Sequence, residues 1–409
     1  MNVPDGWRIA TLGEVCAVGP RDAALSEDAP FVPMDAVKVG RREPAYYEQR
    51  GRRGGIRARG NDLLFARITP CLENGKVALL PEQIDAVGGS TEFLVVRPSP
   101  EIDPRFLYFW SLTPSVRDRA KAEMTGTTGR MRLAGKSLSE FAIAFPGLVE
   151  QRRIVEMVEE HLAHLDTADA SLTQAEQRAT ALTASSAAVI VAEAARVGKI
   201  STIGAHATAV EYGSSAKTSG DASGIPVLRM GNIQLGQLDW NSLKYLPKTH
   251  GEFPKLLLRD GDLLFNRTNS AELVGKCAVF HGERESSYAS YLIRVRFDAT
   301  VEADWVNIVI NSPQGRAHIK TVVSQQVGQA NVNGTKLRAF PLPVPDIAQQ
   351  RELIAKHRHA LDEAYRAEAA ADSARRRSGA LRRAVLAAAF AGRLSGAASD
   401  SDTIEEMAS

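Results

Sequence analysis

Cysteine is scarce in this chain: Cys16, Cys71 and Cys277 are its only three, an odd number with no CxxC pair. That argues against a disulfide framework and against a structural zinc site. The eight histidines are scattered, and none stands in an HExxH or similar ligand spacing, so the sequence offers no metal centre. No uninterrupted apolar run reaches the roughly 18 residues of a membrane span, and we expect no membrane association. The stretch MNVPDGWRIATLGEV has no basic region followed by an apolar core; we expect a cytoplasmic protein. Catalytic signatures are missing as well. There is no GxSxG elbow, and in GRMRLAGKS at 129–137 five residues separate Gly129 from Gly135 where a phosphate-binding loop needs four.

What the chain does have is repetition. DLLFARITPCLENGKVA begins at Asp62 and DLLFNRTNSAELVGKCA at Asp262, identical without a gap at Asp, Leu, Leu, Phe, Arg, Gly, Lys and Ala. Three further blocks follow the same order in both halves. WRIATLGEV at 7–15 is echoed by GKISTIGAH at 198–206, FVPMDAVKVG at 31–40 by VLRMGNIQLG at 227–236, and FAIAFPGLVEQRRIV at 141–155 by FPLPVPDIAQQRELI at 340–354. The offset drifts only between 191 and 200, as loop-length changes in a duplicated unit would produce.

Each unit has two parts. The first is rich in short β-like runs, LLFARI and TEFLVVRP in one copy, LLFNRT and YLIRVRF in the other, with helical pieces at 104–124 and 304–323. This reads as a mixed α/β, or α+β, domain. The second part is one long helix. From Ile154, positions Val158, His161, Leu165, Ala168, Leu172, Ala175, Ala179, Leu182, Ser186 and Val189 recur at spacings of four and three; Leu353 to Ala388 do the same in the other copy. A repeat of 3.5 residues held this long marks a coiled-coil seam. Asp346 with Gln349, and Gly147 with Glu150, suit helix starts, while Gly198 and Gly392 suit left-handed ends. Each helix is about 45 residues, or roughly 65–70 Å long, and we expect the two to pack antiparallel.

Two similar domains on a rigid antiparallel spacer read as a ruler for DNA, whose grooves repeat about every 34 Å. Seven arginines lie between Arg41 and Arg59 against only Glu43 and Glu48, a candidate phosphate footprint; we single out Arg52, Arg53 and Arg57. The Gly75-Lys76 and Gly275-Lys276 turns place a cation beside permissive backbone. Polar loops at 125–138 and 324–337 supply Arg130, Arg132 and Lys136 in one copy. In the other they supply Gln325, Gln326, Gln329, Asn331, Asn333 and Lys336. Arginine, asparagine and glutamine are the types that contact guanine and adenine edges bidentately. Arg67 and Arg267 are expected to buttress the fold. A protein-interaction scaffold with a long coiled coil and no DNA specificity is the alternative.

The recurring W...LG, GDLLF.R...GK, the polar loop, and P...EQRRI opening a helix that ends VLAAAFAGRL together resemble the specificity subunit of type I restriction-modification systems, over residues 4–394. The resemblance implies target-recognition domains at 1–146 and 198–345, each reading half of a split site in double-stranded DNA. It implies conserved spacer helices at 147–197 and 346–394 that set the half-site distance and dock two modification (methyltransferase) subunits, with restriction/translocase subunits completing the nuclease. The chain lacks the Gly-rich loop and Asn/Asp-Pro-Pro-aromatic tetrapeptide of an adenine methyltransferase, so catalysis is expected in those partners. No cofactor is expected on this chain; the complex would use S-adenosylmethionine, and ATP and magnesium for restriction. The first helix ends in AVIVAEAARVGKI, a degraded form of the second, and the acidic tail 395–409 is expected to be disordered.

Overall fold

A computed structural model describes residues 4–127, 129–270, 272–326, 329–394 and 400–408. The chain forms two compact units, Met1–Leu172 with Asp372–Ser409, and Thr173–Ala371. In the first, the repeated strand Leu63–Ala66 lies inside a four-stranded antiparallel sheet ordered Cys16–Val18, Phe93–Pro98, Leu63–Ala66, Val77–Leu79. Side chains alternate across a strand. Leu63 and Phe65 therefore enter one core with Phe106 and Trp110 of helix Pro104–Leu112. Leu64 and Ala66 enter another, with Val32 and Val87 of a second sheet. Both faces are covered, which is why the strand is apolar without interruption.

The second unit repeats this plan. Asp262–Asn266 lies in a sheet ordered Ala207–Tyr212, Leu292–Phe297, Asp262–Asn266, Cys277–Phe280. Leu263 and Phe265 meet Trp305 and Val309 of helix Ala303–Asn311, and Leu264 meets Leu228 and Tyr288.

The aspartate that opens each repeated strand is a buried structural charge. Asp62 accepts from Nε and Nη2 of Arg97 at 2.8 and 2.7 Å, and from the Arg59 amide at 2.9 Å. Asp262 accepts from Nε and Nη2 of Arg296 at 2.6 and 3.0 Å, and from the Arg259 amide at 2.9 Å. Strand and neighbour are thus cross-linked by the same bidentate pair in both copies.

A second repeated device ties each long helix to its domain. Gln151 is fully buried; its Nε2 donates to the carbonyls of Glu101 and Pro146 at 2.8 and 2.9 Å, and its Oε1 accepts from Asp103 N at 2.8 Å. Gln350 makes the same three bonds, to Thr300 O, Pro345 O and Glu302 N. Every polar atom of the amide is engaged, as burial requires.

The long helices are Leu148–Val197 and Ile347–Phe390. The first starts in the first unit and ends in the second, and the second helix does the reverse, so the paired segments run antiparallel. In the first unit Val158 and Leu162 pack with Leu381 and Val385, and Arg382 bonds Asp166 and Asp169 at 2.7 and 2.8 Å. In the second, Ile190, Val191 and Ala194 pack with Leu353 and Ile354. The expected seam holds throughout the second helix but slips in the first. Leu182 and Val189 are 45% and 61% exposed, while Ala187, Ile190 and Ala194 are buried. An unsupercoiled helix drifts about 20° per heptad against a 3.5 repeat, which carries those two positions outward. By length and composition alone this first helix is apolar enough to cross a membrane; buried positions near both its ends belong to the two cores.

Helix ends differ in kind. Asp346 caps the second helix through its carboxylate, accepting from Gln349 N at 2.8 Å. Gly392 is left-handed at φ +66°, as expected, but Gly198 is not: a Cβ there would lie 2.6 Å from Pro345 N, so close strand approach explains that glycine. The tail also departs from expectation. Asp400–Ala408 is a helix whose Ile404 is buried in the first unit's core and whose Glu405 bonds Arg377 at 3.0 Å. Ile404 and Met407 fall one turn apart, and acidic residues in its first turn suit the helix dipole; residues 395–399 lie outside the described residues.

His357 is buried in the second unit, its Nδ1 3.3 Å from Ser186 Oγ, and burial pushes its pKa below 6.5. Because the folded state resists protonation, this histidine's contribution to stability is complete above the unfolded value and declines as pH falls below about 6.5. Thermal melts across pH 5–8 should show that decline steeper in the wild type than in His357→Gln; parallel curves would contradict it.

Candidate nucleic-acid interface

Each domain carries an antiparallel hairpin at the same place. In the first copy it pairs Thr125–Thr127 with Arg130–Arg132, in the second Ser324–Gln326 with Gln329–Asn331. Both grow from the end of the repeated strand. Leu133 N donates to Arg67 O at 2.9 Å and Val332 N to Arg267 O at 2.9 Å. Alternation turns Met131 and Ala330 onto the cores and leaves Arg130 and Arg132 on the exposed face of the first hairpin. The side chains of Gln325, Gln326 and Gln329 lie outside the described residues.

The cations singled out from the sequence separate into two groups. Several are engaged inside the domain. Lys76 Nζ donates to Met34 O at 3.1 Å, and Lys336 Nζ to Val322 O at 2.6 Å and to Ser324 Oγ. Arg57 donates to Asp22 O at 2.7 Å; Arg53 pairs with Glu48 and lies 4.5 Å over the Phe31 ring; Arg52 is 3.5 Å from Glu27 on an open surface. Much of the arginine-rich stretch is therefore engaged where it stands, though of these three only Arg53 has a close carboxylate partner. Arg130, Lys136 and Lys276 have no side-chain bond within the domain among the described residues. Asn333 caps the short helix Gly334–Arg338, accepting from Lys336 N at 2.9 Å.

The Gly-Lys turns have an internal reason. Gly75 and Gly275 are left-handed, at φ +76° and +82°, and each turn is bonded by an arginine from a following helix. Arg117 donates to Leu72 O and Glu73 O, Arg316 to Glu272 O at 2.8 Å. A Cβ at Gly75 would sit 1.6 Å from Arg117 Nη1. Burial pushes the pKa of both guanidinium groups down.

At the hairpin roots the two copies share geometry but not chemistry. Arg67 N donates to Glu92 O at 2.9 Å and Arg267 N to Tyr291 O at 3.0 Å, so Glu92 and Tyr291 are equivalent. Glu92 grips Arg132, accepting from Nε at 2.9 Å and Nη2 at 2.6 Å. The hydrogen bonds from Arg132 hold its carboxyl below the usual carboxylate range. In the second copy Tyr291 is 49% exposed, and Arg267 lies 4.7 Å over the ring of Tyr212. Asn331, equivalent to Arg132, donates to Thr268 Oγ1 at 2.8 Å. Sequence reasoning missed Glu92, Thr268, Tyr212 and Tyr291; the exposed aromatic pair and a lone acid before an apolar strand were the available signals.

Residues 4–177 match the family described as Type I restriction modification DNA specificity domain. Similar proteins include the type I restriction enzyme EcoKI specificity subunit of Escherichia coli K12, 28% identical over 46% of this chain and 41% of that protein. The Escherichia coli EcoAI specificity subunit is 30% identical over 38% of this chain and 28% of its own. The StySPI specificity subunit of Salmonella potsdam is 24% identical over 73% of this chain and 67% of its own. The EcoKI and EcoAI matches thus span less than half of those relatives' length. In fold, the chain is similar to the HsdS subunit from Thermoanaerobacter tengcongensis, with a TM-score of 0.59 at 18% identity over 96% of this chain and 99% of that one. It is also similar to a chain of a type I R-M system studied for complex assembly and conformational transition, with a TM-score of 0.79 at 18% identity over 96% and 100%. The duplicated domain-and-helix plan and these matches agree: residues 4–177 carry the family's DNA specificity domain, and the chain as a whole is similar to the specificity subunits of type I restriction-modification systems.

Proposed function

We propose that this chain is the non-catalytic DNA-recognition subunit of a cytoplasmic type I restriction-modification complex, each domain reading one half of a bipartite site in double-stranded DNA. One observation carries the reading: the same outward hairpin rises from the same root in both copies, with arginines in one and an amide in the other. A fold kept constant while its exposed polar chemistry changes is what two different half-sites require. The long helices set the half-site spacing, and exposed apolar side chains such as Leu182 and Val189 suit docking of two modification subunits. Restriction/translocase subunits complete the nuclease. S-adenosylmethionine, ATP and magnesium belong to those partners. Among the described residues no group of three His, Cys, Asp or Glu side chains is placed to hold a metal.

The test is to co-express the chain with its methyltransferase partner and map methylated positions across a genome. Replacing residues 1–146 by the same domain of a relative should exchange one half-site completely and leave the other as it was. If both halves changed, the division of labour would be wrong. A pool of random DNA from which the complex retains no split sequence would favour the protein scaffold instead.

A further inference from the structure

Positions 132 and 331 are one place in two copies. Each lies in the second strand of its hairpin, opposite Thr125 and Ser324, and each pairs with the residue after the repeated arginine, Ile68 and Thr268. A two-stranded ribbon of this kind fits the major groove of B-DNA.

What each side chain has left to offer follows from what its neighbour takes. Arg132 gives Nε–H and one Nη2 hydrogen to Glu92. Among the described residues both hydrogens of Nη1 and the outer one of Nη2 take no partner, leaving the end-on fork that matches O6 and N7 of guanine. The side chain is 44% exposed, so that fork is reachable, and Glu92, 25% exposed, holds it from behind. Asn331 gives one amide hydrogen to Thr268. Among the described residues its other amide hydrogen and Oδ1 take no further partner, leaving one donor and one acceptor, the complement of adenine N7 and N6. In both cases the second residue fixes a rotamer in advance, which lowers the entropy cost of binding. The partners are not interchangeable, since Tyr291 stands where Glu92 stands and carries no charge to hold an arginine.

We propose that Arg132, positioned by Glu92, reads a guanine in one half-site, and that Asn331, positioned by Thr268, reads an adenine at the equivalent place in the other. This rests on the DNA-recognition reading above.

The full chain, assembled with its methyltransferase partner, is given a random DNA pool, and base preference is measured position by position. Arg132→Lys keeps the charge and loses the fork; preference for one guanine should fall about tenfold to a hundredfold, with the second half-site unaltered. Glu92→Gln should relax that same guanine while overall affinity and its salt dependence persist, which a merely structural role would not produce. Asn331→Ala and Thr268→Val should relax one adenine in the other half-site. With unmutated protein, 7-deazaguanine or 7-deazaadenine at those two positions should weaken binding about tenfold, a measurement independent of folding. A wild-type complex that selects no split sequence would overturn the DNA-recognition reading. A selected split sequence whose relaxed positions are not a guanine and an adenine, or that tolerates both deaza bases, would overturn the assignment alone.

Discussion

Inserting one heptad into both long helices, after Leu172 and after Ala371, should lengthen the unspecified gap between half-sites by about three base pairs and leave both half-sites unchanged. The two units divide at these points, so each insertion falls between them and leaves both cores intact. Seven residues add about 10 Å of helix, close to three steps of 3.4 Å along DNA. The added rotation is within about 20° of two full turns, so each seam keeps facing its partner. Methylation at the original site should vanish and reappear at the longer one, and genome-wide mapping reads both. The same heptad in one helix alone shifts one partner past the other. The helix contacts of one unit, such as Arg382 with Asp166 and Asp169, and those of the other could then not be kept in register together, and activity at every spacing should drop. Retention of the original spacing by the double insertion would sink the ruler.

Asp262→Ala should be the most destabilising single substitution in the repeated strand. It removes the carboxylate that holds Arg296 and stands 3.9 Å from Arg294, a side chain 1% exposed. Breaking a buried pair in this way costs about 3–5 kcal/mol, or roughly 10 °C in melting temperature for a unit of this size. The matching change Asp62→Ala should cost less, because Arg97 keeps a second carboxylate, Asp22, at 2.6 Å. Thermal melts of both variants decide the order. Equal losses would show that Asp22 does not take over.

Much of this molecule could be read before its structure. The strand DLLF.R was visible because both its faces are buried and its sequence is apolar without a break; the helices were visible because a seam tens of residues long leaves a period. Antiparallel pairing followed from the order of the parts. Other features depend on partners distant in sequence. Glu92 meets Arg132 forty residues on, and Thr268 meets Asn331 after sixty-three; a local signal can mark a single residue such as Glu92 but not the partner it meets. The Gly-Lys turns suggested a phosphate site because the bonding arginines, Arg117 and Arg316, lie on helices more than forty residues away. The first helix's seam slipped because an unsupercoiled helix drifts about 20° per heptad against a 3.5 repeat, and that drift adds up along its length. The tail was misjudged from composition, since two apolar residues one turn apart are enough to dock a short helix on an existing core.

The alternation within each hairpin strand has a consequence for how such a protein changes over generations. Met131 and Ala330 answer to the core, while Arg130, Arg132 and Asn331 answer to whatever the hairpin meets outside. Exchanges on the outer face cost little in stability, usually within about 0.5 kcal/mol. A lineage can therefore drift from one recognised base to another through folded intermediates, altering side chains one or two at a time, while selection on folding sees almost nothing of the change.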